Sequence, residues 1–428
     1  MGVWAIIRPH VAQLCIRLVM AWCLLLVTFV PAVPAMADAA PPGDTWRLLD
    51  APREAAGGPI FALDADPGDP NRILLGTAEG SMLLSQDGGA SWRQVAGHLG
   101  SGVLAVAFEP GRKGLVLAGT RGAGIWRSAD GGGTWIAVPG TAPGTVHAFG
   151  SGAAMMLAAT DRGVLTSKDG SDWRPAGLSD TNLSAVASSI SGNPPRLVAA
   201  GDEPSPGAAL PLYTSPDGGS TWTRISGSMM GSTMVSALTG WLGDDGPRMV
   251  LGTDAGAFMS RDSGAHWGPL TGGGTLPAAS ITAARTVAGQ PQRLYLASDG
   301  GASDQGGLWS TRDAGQHFVS LHPPIATVTA LAAGSGPDPM VYVATFRPID
   351  HAVMLWAYRD AGGPPGQQAA VPPPRTAARP AGTGGQGAIE GARSLLGDRE
   401  APFIGLGLGA VLILLLAGIA YLRSGRRL

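Results

Sequence analysis

The stretch Ser85–Trp92 reads SQDGGASW. Near-copies follow: SADGGGTW from Ser128, SPDGGSTW from Ser215 and SRDSGAHW from Ser260. Aligned on the aspartate, six such knots occur, at Asp87, Asp130, Asp169, Asp217, Asp262 and Asp313, with spacings of 43, 39, 48, 45 and 51 residues. Two residues before each aspartate stands Ser85, Ser128, Ser167, Ser215, Ser260 or Thr311. Five after it stands Trp92, Trp135, Trp222, Trp267 or Phe318; the third copy is one residue shorter, with Trp173 four after Asp169. A period of about 40–50 residues fits the four-stranded blade of a β-propeller.

The residue types are those of a tight turn between strands. An aspartate side chain accepts hydrogen bonds from nearby main-chain N–H groups. The following glycines (Gly88, Gly131, Gly170, Gly218) allow positive φ without steric cost. A buried aromatic ring removes about 150–250 Å² from water and contributes a few kcal/mol, against about 1 kcal/mol for a hydrogen bond. The aromatic therefore carries the energy of the motif and the aspartate its geometry.

Each knot follows a larger unit: an apolar run, a glycine-rich turn and a second apolar run, as in RILLGTAEGSMLL and GLVLAGTRGAGIW. A shorter apolar run precedes these, near Ile60, Leu104, Val146, Val186, Val235, Ile281 and Val328. A seventh unit from Met340 ends in a degenerate knot at Asp360, with Tyr358 at the serine position. GDTWRLL at 43–49 looks like the second half of a knot and predicts an outer strand, through Trp46, for that last unit. The expected fold is all-β: a seven-bladed β-propeller over 38–363, with a C-terminal transmembrane helix.

The pattern S-x-D-x-G-x-[ST]-W resembles the Asp-box, or bacterial neuraminidase repeat. That resemblance implies that the repeated aspartates and aromatics are structural elements of the rim, away from the binding face. A single propeller without added catalytic domains resembles the photosystem II stability/assembly factor family and its bacterial relatives. This implies a protein-binding or assembly scaffold. The alternative is a glycoside hydrolase or carbohydrate-binding propeller of the sialidase or xyloglucanase kind.

The chain ends predict topology. Residues 1–37 read as a signal peptide, with Arg8 and Arg17 before a long apolar run and Ala35-Met36-Ala37 as the cleavage site. Both cysteines, Cys15 and Cys23, fall within it, so the mature chain offers no disulfide or thiolate site. Residues 364–400 read as a Pro/Gly-rich disordered tether. Residues 401–423 read as a transmembrane helix and 424–428 as a basic cytoplasmic tail. The expectation is a single-pass protein of the cell membrane with its propeller on the extracytoplasmic side. Gly405 and Gly409 form a G-x-x-x-G pair that would suit a homodimer.

Composition gives no electrostatic footprint for nucleic acid: the net charge is −2, and Lys113 and Lys168 are the only lysines. No cofactor, metal or catalytic residue is assigned. The histidines do not fall at ligand spacing, and no nucleophile–base pair is in register. The loops between the second and third strands share one face, and three are longer than the rest. Asp202, Glu203, Asp299, Asp304, Arg347 and Asp350 on these loops are the expected contact surface for a protein partner or glycan at the membrane surface. Arg347 is the expected anchor, because a guanidinium pairs bidentately with a carboxylate.

Overall fold

The computed structural model describes residues 45–151, 155–189, 194–205, 208–225, 232–243, 246–300, 306–362 and 371–372. All lie in one compact unit that ends at Pro372. The expected signal peptide, membrane span and tail lie outside the described residues, as does the tether apart from 371–372.

Among the described residues the chain forms 28 strands and two 3-10 turns, Arg53–Gly57 and Gly272–Gly274. Numbered in chain order, β1 (Trp46–Leu49) stands apart from its neighbours in sequence. Six of the seven units that follow begin with an inner strand and continue through three more. The inner strands are β2 (Ala62–Asp66), β6 (Val103–Phe108), β10 (Gly144–Ser151), β14 (Ala185–Ser188), β18 (Val235–Gly243), β22 (Ala283–Val287) and β26 (Val328–Ala333). The second strands are β3 (Asp69–Gly76), β7 (Val116–Gly122), β11 (Met156–Thr160), β15 (Leu197–Ala200), β19 (Gly246–Thr253), β23 (Gln290–Ser298) and β27 (Met340–Arg347). The third strands are β4 (Met82–Ser85), β8 (Ile125–Ser128), β12 (Gly163–Ser167), β16 (Leu212–Ser215), β20 (Gly256–Ser260), β24 (Gly307–Thr311) and β28 (Ala352–Arg359). The outer strands are β5 (Arg93–Ala96), β9 (Ile136–Ala137), β13 (Arg174–Pro175), β17 (Thr223–Arg224), β21 (Gly268–Pro269) and β25 (Val319–Ser320). All but β5 are two residues long, which leaves little edge for another chain to pair with.

The second strands are nearly continuous apolar runs because both of their faces are covered. Ile73, Leu74 and Leu75 are fully buried, and Leu74 and Leu75 point into two different core clusters. β1 pairs antiparallel with β28, Trp46 opposite Tyr358, so the last sheet is built from both ends of the described chain. The Trp46 ring is 5.0 Å from the Tyr358 ring, and its Nε1 donates to the Leu321 carbonyl at 2.8 Å.

The expectation of a seven-bladed propeller requires correction. The strands hydrogen-bond into six sheets, five of four strands and one of eight, and no sheet closes into a seven-bladed ring. In the large sheet β10 pairs with β11 on one side and with β7 on the other, through Gly144↔Gly122 and Thr145↔Arg121. The cause is local. β7 runs on to Gly122, whose φ of 145° and missing side chain leave its edge open to the start of β10. The inner strands still touch in chain order, and β26 touches β2.

The expectation of a membrane-anchored protein is also corrected. Among the described residues no helix is long and apolar enough to cross a membrane. The two helical turns hold five and three residues, about 10 Å and 6 Å at the 3-10 rise, against a bilayer core of about 30 Å. Residues 401–423, with Gly405 and Gly409, lie outside the described residues. Membrane placement, attachment through a C-terminal helix, a partner at the membrane surface and a helix-mediated dimer are therefore not carried forward.

Candidate functional site

The seven inner strands carry the same residue at one register. Ala62, Ala105, Ala148, Ala185, Ala237, Ala283 and Ala330 each pair with a glycine or alanine of the second strand. Small residues here let the inner strands approach one another around a central cavity of about 510 Å³. Two residues further on the register holds Asp64, Ala107, Gly150, Ala187, Thr239, Arg285 and Ala332. Five of the seven are small or neutral. The exceptions are one carboxylate and one guanidinium, and both line the cavity.

Asp64 is held from β6: the Phe108 N–H donates to its Oδ2 at 2.8 Å. Burial pushes the carboxyl up to about 6, against Arg285 and the Phe108 and Ala65 N–H groups, which pull it down. Arg285 donates through Nη1 to the Ala284 carbonyl at 3.0 Å. Among the described residues lining the cavity Asp64 is the only acid, and Arg285 and His147 are the only bases.

One position before the alanines the register forms the mouth, with Phe61, His147, Ser236, Thr282 and Thr329 on the cavity wall. The hydroxyls tie one unit to the next. Ser236 Oγ donates to the Ile281 carbonyl, Thr282 Oγ1 to Val328 at 2.8 Å, and Thr329 Oγ1 to Ile60 at 2.7 Å. Burial holds the His147 imidazole below its ordinary range, although Asp161, Asp202 and a hydrogen bond with Asn182 raise it. Phe61 is 54% exposed at the same level, an apolar surface beside a polar ring.

The loop residues expected to contact a partner are largely engaged within the chain. Asp202 Oδ1 accepts the Val235 N–H at 2.8 Å and so caps β18. The Glu203 N–H donates to the Thr233 carbonyl. Asp161 and Asp254 cap the starts of β10 and β18 in the same way. Arg347 and Asp350 come together: Nε and Nη2 each lie 2.8 Å from a carboxylate oxygen, and Nη1 donates to the Pro372 carbonyl at 2.7 Å. Asp299 follows β23 and is half-buried; Asp304 lies outside the described residues. No group of three or more His, Cys, Asp or Glu among the described residues could hold a metal ion.

The repeated turns have one bonding pattern. Ser85 Oγ donates to Asp87 Oδ1 at 2.8 Å and accepts the Gly89 N–H at 2.8 Å, while Asp87 accepts the Ser91 N–H. The same bonds recur at Ser128/Asp130, Ser215/Asp217, Ser260/Asp262 and Thr311/Asp313. At the last two, His266 and His317 Nδ1 lie 2.6 and 2.7 Å from the aspartate, where other copies use a hydroxyl. In the shorter third copy Ser167 is 3.4 Å from Asp169.

Sequence reading missed Asp64 and Arg285, and it found Asp360 only as a degenerate knot, without its buried partners. The signal for the first two was a charge inside an inner-strand run, in FALDAD and ITAART, once the strands are set in register. Asp360, at the degenerate knot, is 2% exposed. It accepts from Tyr295 Oη at 2.6 Å and Arg312 Nη2 at 2.5 Å, with Arg293 3.9 Å away. No signal marks these partners, which lie on β23 and just beyond β24.

No known family matches the chain, and no curated protein sequence does. Solved structures do. An ancestral GH74 enzyme is 16% identical, with a TM-score of 0.53, over 72% of this chain and 47% of that one. The chain thus spans about half the length of that enzyme. YCF48 bound to D1 peptide is 16% identical, with a TM-score of 0.51, over 73% of this chain and 96% of that one. The RRP9 WD40 repeats are 15% identical, with a TM-score of 0.53, over 73% and 97%. At these identities the likeness concerns the fold alone: a propeller-like repeat fold.

Proposed function

We propose that the chain is a recognition scaffold, not a catalyst, and that its ligand enters the central cavity from the loop-bearing mouth. The carrying observation is the chemistry of the cavity wall. It holds a single carboxyl group among the described residues, Asp64. Glycoside hydrolysis mostly requires two, about 5–10 Å apart across the bond. A lone half-buried acid together with a guanidinium in a cavity walled by strands suits binding. A fold neighbour, YCF48, carries a D1 peptide in its solved structure, which supports an extended peptide as the ligand class. Asp202, Glu203, Asp299, Arg347 and Asp350 then shape the approach. The six turns are read as Asp-boxes, structural elements of the scaffold.

The test has two arms. Random peptide libraries selected on the full chain should yield binders that weaken with His147→Ala or with Arg121→Ala, whose charge acts on His147. Selection that returns no binder, or binders indifferent to both changes, overturns the reading. Xyloglucan oligosaccharides and aryl glycosides should not turn over. Turnover abolished by Asp64→Asn would make the cavity a hydrolase site.

A further inference from the structure

We propose that the Asp64–Arg285 level of the cavity is a site for a small zwitterion of the amino-acid class, its ammonium on Asp64 and its carboxylate on Arg285. The inference rests on the cavity being the binding site and adds the chemical class of what binds there.

The argument begins with the register. Asp64 and Arg285 occupy the same position in two units, and elsewhere that position is small or neutral. Their units are separated by only one, because β22 touches β26 and β26 touches β2. The intervening strand β26 contributes Thr329, Ala330, Leu331 and Ala333 to the cavity wall, so it places no charge between the two. The pair makes no direct salt bridge, yet the Arg285 charge acts on the Asp64 carboxyl. A carboxylate and a guanidinium held apart on a wall of otherwise neutral groups form a complement to a molecule carrying the opposite charges at a similar separation. Charge-assisted hydrogen bonds at both ends are stronger than neutral ones. Bidentate pairing suits Arg285 to a carboxylate, whereas Asp64 has a second oxygen beyond the one that receives Phe108.

The alternative occupants make different demands. A simple amine would leave Arg285 unpaired in the cavity, and a simple acid would leave Asp64 unpaired. Each would forfeit one of the two contacts and leave a desolvated charge behind.

The groups that face Asp64 are Arg285, Asp66 and the N–H groups of Ala65 and Phe108. His147 lines the same cavity at its mouth. An ammonium beside Asp64 favours its ionised form. Binding near pH 6 should therefore expel a fraction of a proton, which calorimetry in buffers of different ionisation enthalpy detects.

The experiment is titration calorimetry of the full chain with glycine, β-alanine and γ-aminobutyrate, against n-propylamine and propionate. The expected result is binding of at least one zwitterion, with each singly charged compound weaker by about tenfold or more. Asp64→Asn and Arg285→Gln should each weaken the zwitterion by a similar factor, and Asp64→Asn should abolish proton release. Asp64→Glu and Arg285→Lys keep the charges and should retain binding. If the neutral variants do not fold, the comparison of compounds on the unaltered chain still decides. Absence of zwitterion binding, or n-propylamine binding as tightly as the zwitterions, overturns the inference. Peptide binding that persists at the mouth while every zwitterion fails would remove this inference alone.

Discussion

The Thr329 hydroxyl donates a 2.7 Å hydrogen bond to the Ile60 carbonyl, 269 residues away in the chain. It joins the last inner strand to the first unit. Thr282 makes the equivalent bond to Val328, and Ser236 to Ile281. Thr329→Val keeps shape and removes the donor, so it should cost about 1 kcal/mol and lower the midpoint of thermal unfolding by about 2 °C. Thr282→Val should cost the same amount, since the bonds are equivalent. A much larger loss for Thr329→Val alone would mean that the contact between the last and first units is more cooperative than the others.

Trp46 tests the pairing of the two ends. It is 5% exposed, packs on Tyr358 and donates to Leu321. Trp46→Ala should destabilise by about 3–5 kcal/mol. Trp46→Phe keeps most of the packing and loses the hydrogen bond, so about 1–2 kcal/mol is expected. Urea unfolding reads both. Equal losses would mean that the indole N–H, and not the ring, holds the strand.

Asp360 neutralises a buried arginine. Arg293 is 6% exposed and lies 3.9 Å from it. Burial and the carboxylate together hold the Tyr295 phenol protonated well above its ordinary range. Asp360→Asn should cost about 3–5 kcal/mol, because it leaves a buried guanidinium without its counter-charge. Asp360→Leu combined with Arg293→Met should cost less than Asp360→Asn alone. The double variant proving worse, in chemical denaturation, would refute the assignment.

Stability should have two limbs in pH. Hydrogen bonds in the turns hold Asp130, Asp217 and, against burial, Asp313 at about 2, below the ordinary carboxylate range. The folded state thus binds fewer protons than the unfolded state between about pH 4 and 2, and stability falls as pH drops through that window. Burial does the opposite to Asp64 and Glu109, raising them to about 6 and about 7. There the folded state binds more protons, so stability also falls as pH rises from about 4 towards 7. Glu109→Gln should flatten the upper limb and Asp130→Asn part of the lower one, both measured by denaturation at a series of pH values. An upper limb unchanged in Glu109→Gln would place its titration outside folding.

The periodic knots were enough to specify the turns. Each aspartate bonds groups within four residues of itself, and such local geometry is encoded in consecutive residues. The apolar runs likewise specified the strands, since burial on both faces requires them. Pairing of the Trp46 strand was legible because its sequence matched the tail of a knot.

What consecutive residues did not encode is how neighbouring units join. Whether β10 stays within its own sheet or also reaches β7 depends on the edge left open at Gly122, a matter of backbone placement between units. Asp202 read as a surface charge, and only the approach of the Val235 N–H made it a cap. Asp64 and Arg285 are some 220 residues apart in sequence, a separation that only ring-like stacking of repeats removes. The sequence by itself determined the repeat, its turns and its strands, because these rest on local hydrogen bonding and hydrophobic patterning. The tertiary structure alone decided which charges share a cavity, because that depends on contacts between residues far apart in the chain.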